Sequence, residues 1–190
     1  MAESAAGAEA VTLLGRGLVL RPYRDGDAPL LFAAVRESIG TNGPWLPWCT
    51  PEYAERDAED WIAISAAAWR SGDGYSFAVF DDAGGFLGGC GLNQRNRQHN
   101  YMNVGYWVRA SRQRQGVASR AVALVARFGI ERLGFARIEI VIEPHNVASR
   151  RVAERVGARL EGIARNRILT RAGPADAALY ALVPDPAKAP

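Results

Sequence analysis

Two hydrophobic periods alternate along this chain. Where apolar side chains run or alternate over a short stretch bounded by glycine, proline or asparagine, they predict strands. Residues 17–22, closed by Pro22, are one; Tyr75–Phe80, Phe86–Leu92, Asn103–Val108 and Arg137–Ile142 are others. Where apolar residues recur every three or four positions they predict helices. One opens at Asp27, a cap, and runs through Leu30, Leu31 and Phe32 to Glu37. A second opens at Thr50–Tyr53 and carries Ala54, Ala58, Trp61, Ile62 and Ile64 as far as Ser71–Gly72. A third covers about Ser119 to Leu133, and a fourth starts at Asn146, an N-cap, and stops before Gly157. Residues 159–183 predict a closing hairpin turned at Arg171–Pro174. Between these lie a loop at Gly40–Cys49, a turn at Asp81–Gly85 and an arginine-rich loop at Asn93–Asn100.

The resulting order, β-α-α-β-β-β-α-β-α-β-β, is that of an α/β chain with a mixed sheet. At 190 residues the length suits one domain with a sizeable core. The alanine-rich start, residues 1–12, predicts a disordered lead-in, residues 13–184 the single domain, and 185–190 a tail. The formal net charge is +3, and Lys188 is the sole lysine, so the basic charge is almost all arginine, which suits phosphate and carboxylate recognition. Cys49 and Cys90 have no metal or redox spacing, so no metal is expected. No signal-peptide pattern and no membrane-length apolar run is present, which predicts a cytoplasmic protein that engages neither membrane nor, with its scattered arginines, nucleic acid.

The chemistry concentrates after the strand ending at Val108. There Gln113-Arg114-Gln115-Gly116-Val117-Ala118 leads into the third helix. Small residues at 116 and 118 allow close approach of backbone to a ligand. The free N–H groups of a helix's first turn, together with its dipole, favour an anion such as pyrophosphate. Arg112, Arg114 and Arg120 add positive charge.

Gln113-x-x-Gly116-x-Ala118 resembles motif A of the GNAT acyltransferases, and Asn146 to Ala158 resembles their motif B. Gly105-Tyr106-Trp107, Arg137-Ile138-Glu139 and Leu160-Glu161-Gly162 fit the same family, most closely its RimJ/RimL-type branch. The resemblance implies a GNAT fold: a mixed, mostly antiparallel seven-stranded sheet with flanking helices, whose central parallel strands splay to admit an acyl-CoA. It further implies acetyl-CoA as donor, no metal, and a primary amine as acceptor, including a protein N-terminus. Homodimers are common in the family.

By that resemblance the backbone of Gln113, Arg114, Gln115, Gly116, Val117, Ala118 and Ser119 holds the cofactor phosphates. The Val108 N–H stabilises the oxyanion, Ala110 holds the pantetheine amide, and Asn146 contacts the same arm. Many members protonate the leaving thiolate with a tyrosine, but Ala153 stands at that position here, which shifts the role to Ser149. Asn146 and Ser149 are equally what a helix start favours. Asn103 stands where an acid is expected, leaving Glu139 as a candidate base, with Glu143 and His145 behind it and an arginine partner as Glu139's plainer role. Trp45 and Trp48 are placed to wall the acceptor site or to anchor their loop. Arg95 and Arg97 could read an acidic acceptor or a carboxylated acyl group. Two alternatives follow: transfer from succinyl-CoA or another acyl-CoA, and a CoA-binding sensor without catalysis.

Overall fold

The computed structural model describes residues 11–184. The lead-in expected at 1–12 therefore falls largely outside the described residues, as does the tail. One sheet of eight strands organises the chain in the order β1-β2-β3-β4-β5-β6-β8-β7. The strands are β1 (Leu13–Gly15), β2 (Leu18–Pro22), β3 (Tyr75–Asp81), β4 (Phe86–Asn96), β5 (Tyr101–Val108), β6 (Arg137–Ile142), β7 (Arg159–Thr170) and β8 (Gly173–Leu182). The helices are α1 (Ala28–Asn42), α2 (Glu55–Ser71), α3 (Val117–Arg127) and α4 (Val147–Arg155). Every neighbouring strand pair is antiparallel except β5 and β6.

The strand beyond the expected seven is β1. It pairs with β2 through a two-residue turn, Arg16-Gly17, with φ of 55° and 74°. Two left-handed residues make the type I′ geometry that matches strand twist, and arginine at the first is not a usual signal for it. Other boundaries move outward. Helix α1 continues past Glu37 to Asn42, because Leu31, Ala34, Val35, Ser38 and Asn42 form one buried stripe. Strand β4 runs on to Asn96, so Arg95 lies in a strand rather than in the expected loop. Helix α3 passes into a wider turn over Phe128–Arg132.

The sheet separates two apolar layers. On one face Val117, Ala121, Val122 and Val125 of α3 and Ala153 of α4 pack on Leu20, Phe77, Leu92, Met102, Val104, Ile138 and Ile140. On the other, Leu31, Ala34 and Val35 of α1 and Ala58 and Ile62 of α2 pack on Ala78, Phe80 and Phe86, with Trp107 against them. Alternation along β5 puts Tyr106 and Val108 toward the α3–α4 face and Trp107 toward the α1–α2 face.

The parallel pair is short. β5 and β6 are in register only at Tyr101↔Arg137, Met102↔Ile138 and Asn103↔Glu139. Beyond that the strands part, leaving Val104–Val108 without a neighbour on that side. Asn103 sits at the fork. Its Oδ1 accepts from the Val141 N–H at 3.2 Å, and its Nδ2 donates to Asn93 Oδ1 at 2.8 Å. A neutral amide, donor and acceptor at once, can bridge both; a carboxylate could not donate to Asn93.

Candidate acyltransferase site

Past the open end of β5 the chain makes a tight turn over Ala110–Arg112 and then enters α3. Arg114 (φ 61°) and Gly116 (φ 72°) are both left-handed there. The first backbone bond of α3 runs from the Arg120 N–H to the Gly116 carbonyl, and the last before it from Gln113 to Ala110. Six successive N–H groups, Arg114 through Ser119, therefore have no acceptor among the described residues. Such a run at a helix start, concave where left-handed residues intervene, is an anion cradle. A cleft of about 390 Å³ adjoins it, lined by Arg16, Gln115, Gly116, Ser119, Arg120 and Arg155. Arg120 also closes onto the Arg16 carbonyl at 2.5 Å, tying the β1–β2 turn to the cradle.

Val108 ends β5 facing the gap. The next N–H, of Arg109, donates back to Leu87 at 2.9 Å, so alternation turns both Val108 N–H and C=O away from β4. Its carbonyl is taken. Asn42 Nδ2 and Gln113 Nε2 each lie 3.1 Å from it. Gln113 Nε2 also lies 3.1 Å from Thr41 Oγ1 and from Asn42 Oδ1, so its two protons share three acceptors. The Gln113 side chain thus braces the strand end against α1 instead of reaching the cradle, and its own N–H is spent on Ala110. The Val108 N–H is left facing the gap. The Ala110 N–H donates to Ser38 Oγ at 3.0 Å, and its carbonyl accepts from Gln113. The Ala110 N–H is thus engaged within the protein, while its carbonyl keeps a second lone pair.

The same turn is pinned by Glu37 of α1, which accepts from the Arg109 guanidinium and, at 2.7 Å, from the Ser111 N–H. The bond from Arg109 holds the Glu37 carboxyl down at about 2.

Across the gap stands the start of α4. Asn146 Oδ1 caps it by accepting from the Ser149 N–H at 3.0 Å, while its Nδ2 has no partner among the described residues. Ser149 Oγ lies 2.8 Å from the hydroxyl of Tyr106, which also donates to the Ser149 carbonyl at 3.1 Å. Burial pushes the Tyr106 phenol well above its usual value, so it stays protonated. Ala153 is fully buried in the core.

On the opposite face, Trp48 meets Trp107 edge-on at 5.9 Å and Tyr53 at 6.1 Å. Trp48 nevertheless remains 43% exposed and Trp45 38%, so both present aromatic surface at the open end. Arg171, in the β7–β8 turn, donates to the carbonyls of Pro47 and Cys49, so the hairpin reaches over this loop.

Three expected residues do not join the site. Arg95 donates to the Gly72 carbonyl at 2.7 Å and lies over Phe135; Arg97 pairs with Asp73 at 2.6 Å. Both sit at the closed end of the sheet, beside the start of β5. Glu139 is level with Asn103, five residues along from Val108, about 17 Å at strand spacing. It accepts from Arg137 at 3.0 Å, and Arg137 is shared with Glu161. Arginine partnership is the role its surroundings give it, and a glutamate side chain cannot span that separation. Glu143 and His145 follow β6 at the open end. Sequence reasoning missed Tyr106, Arg16, Arg155, Asn42 and Ser38. Of these only Tyr106 had a local signal, its place two residues before Val108 in Gly-Tyr-Trp.

Residues 17–159 match the acetyltransferase (GNAT) domain. The N-acetyltransferase YoaA of Bacillus subtilis (strain 168), itself uncharacterized, is 28% identical over 87% of this chain and 93% of its own length. A Vibrio cholerae structure, provisionally described as a ribosomal-protein-serine acetyltransferase, is 30% identical with a TM-score of 0.82, covering 93% of this chain and 99% of that one. RimL, a ribosomal L7/L12 α-N-protein acetyltransferase solved with coenzyme A, shares the fold at 20% identity and a TM-score of 0.84, over 91% of this chain and 98% of its own. The anion cradle, the splayed strands and the matched domain together place this chain in the GNAT acetyltransferase family, as an acyltransferase of RimJ/RimL-like type.

Proposed function

We propose that the protein transfers an acetyl group from acetyl-CoA to a primary amine, with a protein N-terminal α-amine as the favoured acceptor. The observation that carries this is the run of six unpaired N–H groups from Arg114 to Ser119, set beside the free Val108 N–H at the mouth of the splay. In this reading the cradle holds the donor's pyrophosphate. Asn146 Nδ2 offers a donor to the pantetheine arm inside the gap.

The Val108 N–H lies where the thioester carbonyl would sit. As the amine nitrogen attacks, the carbonyl oxygen gains charge, and a fixed N–H donor is worth about 3–4 kcal/mol to such a transition state. The C–S bond then breaks, and the Ser149 hydroxyl donates to the departing sulfur. The amine loses its proton to water. A terminal α-amine, with a pKa near ~7.7–8.0, is partly neutral at working pH and needs no strong base. Holding both reactants in one cleft supplies much of the rest. No covalent enzyme intermediate is required. Likeness to the Vibrio cholerae structure, described as a ribosomal-protein-serine acetyltransferase, supports a protein acceptor.

Thiol release from acetyl-CoA and succinyl-CoA across α-amine peptides, polyamines and small amines tests this, with Ser149→Ala beside wild type. Turnover of acetyl-CoA with α-amine peptides, lowered in Ser149→Ala, is expected. Tight CoA binding without turnover of any pair would favour a CoA-binding sensor and withdraw these roles.

A further inference from the structure

We infer that Tyr106 is a positioning residue for the transfer step: as charge grows on the departing sulfur, its hydroxyl proton turns from the Ser149 carbonyl to Ser149 Oγ and frees the Ser149 proton for the sulfur. The inference rests on the reading of Ser149 as the donor to that sulfur, and adds a residue to it.

A serine hydroxyl has one proton and can rotate. Left alone at a helix start, its usual habit is to bond to nearby backbone, which would point the proton away from the gap. Here Asn146 Oδ1, a side-chain acceptor at the start of α4, already receives the Ser149 N–H at 3.0 Å. The Tyr106 oxygen, 2.8 Å from Ser149 Oγ, then decides the direction. If Tyr106 donates, Ser149 Oγ is the acceptor and its own proton is free to face the gap. If Ser149 donates to Tyr106, the serine proton is spent and the sulfur receives nothing. In the free protein the Tyr106 proton goes to the Ser149 carbonyl at 3.1 Å, which leaves Ser149 Oγ as donor to the Tyr106 oxygen, so the first arrangement requires the phenol proton to turn to Oγ.

A growing negative charge on sulfur selects the first arrangement. Serine donating to the sulfur becomes a better acceptor from Tyr106, and the two bonds strengthen each other. The tyrosine keeps its proton throughout. The electron pair of the broken C–S bond goes to sulfur, the new C–N bond takes the amine's pair, and the amine's surplus proton leaves to water. Tyr106 belongs to β5 and Ser149 to α4, so this bond also crosses the gap that the donor must enter. It ties the sulfur's hydroxyl partner to the strand carrying the Val108 N–H two residues on.

The position fits nothing else in the site. Tyr106 faces the α3–α4 layer, away from the tryptophans of the acceptor face. Its ring packs against the core, so Tyr106→Phe keeps the packing and deletes only the hydroxyl.

The test compares wild type, Tyr106→Phe, Ser149→Ala and the double variant. Each is assayed with acetyl-CoA and the amine that turns over fastest, beside calorimetric CoA binding and melting temperature. Tyr106→Phe is expected to lower kcat roughly three- to tenfold, with KM for acetyl-CoA and CoA affinity unchanged. Ser149→Ala lowers kcat further, and the double variant falls no lower than Ser149→Ala alone. A merely structural tyrosine would shift melting temperature or KM and leave kcat intact, and that result overturns the inference. So does a double variant whose loss is the product of the two single losses. If Ser149→Ala keeps the wild-type rate, the inference also falls, and the fault then lies with the serine reading rather than with the Tyr106 bond. Should no amine turn over, the proposed activity fails first.

Discussion

Placing a carboxylate in the cradle should separate binding from stability. Ala118 is the second residue of α3, half-buried, and its N–H is one of the six without an acceptor. For the free protein, Ala118→Asp is favourable. An acidic residue in a first turn is worth about 0.3–1 kcal/mol, which for a chain of this size raises Tm by roughly 1–4 °C. For the complex it is costly. At about 5 Å from a phosphate charge, repulsion is about 0.8 kcal/mol at ε near 80 and about 3.3 kcal/mol at ε near 20. That weakens CoA roughly four- to 250-fold. Ala118→Asn, nearly the same size and uncharged, separates charge from bulk and should lose much less. Calorimetric titration of CoA at low and high salt, with thermal melts of the free variants, reads both quantities. The loss in Ala118→Asp should shrink with salt. Unchanged CoA affinity in Ala118→Asp would refute the assignment of the cradle. An equal loss in both variants would refute the electrostatic argument.

Three further outcomes follow. Glu37→Gln removes a carboxylate held at about 2 by Arg109. A depressed acid stabilises the fold above its unfolded value and stops doing so as pH falls through the folded one; the variant should therefore melt below wild type at neutral pH and converge with it between about pH 4.5 and 2. Asn103→Leu strips the Val141 N–H of its acceptor at the fork and should cost about 1–3 kcal/mol, seen as a Tm lower by roughly 2–12 °C in a thermal melt. Arg97→Ala, at the closed end, should leave the preference between acetyl-CoA and succinyl-CoA unchanged in a competition assay; a lost preference would return that arginine to the site.

The sequence made the local elements readable and the long-range ones less so. Helices with strong stripes, such as that from Val117, could be read from period alone. So could the cradle, because a glycine that opens an amphipathic helix after a strand is a local pattern. The splay was legible only through family resemblance: nothing in the spacing of β5 and β6 says that pairing stops after three residues. The strand Leu13–Gly15 was hidden because arginine occupies a left-handed turn position usually held by asparagine or glycine. Arg95, Arg97 and Glu139 looked like site residues because sequence proximity to β5 does not say which end of the strand they occupy. Tyr106 was overlooked for the opposite reason, since its partner lies 43 residues away on α4. The Ser38 and Asn42 contacts, too, depend on α1 running one turn beyond its expected end.

The most direct test of the central claim is an amide NMR titration of the protein with acetyl-CoA. The account predicts the largest shifts at the N–H groups of Arg114–Ser119 and at Val108, with Asn146 and Ser149 following across the gap. Shifts concentrated elsewhere, with Val108 and the start of α3 unmoved, would contradict it.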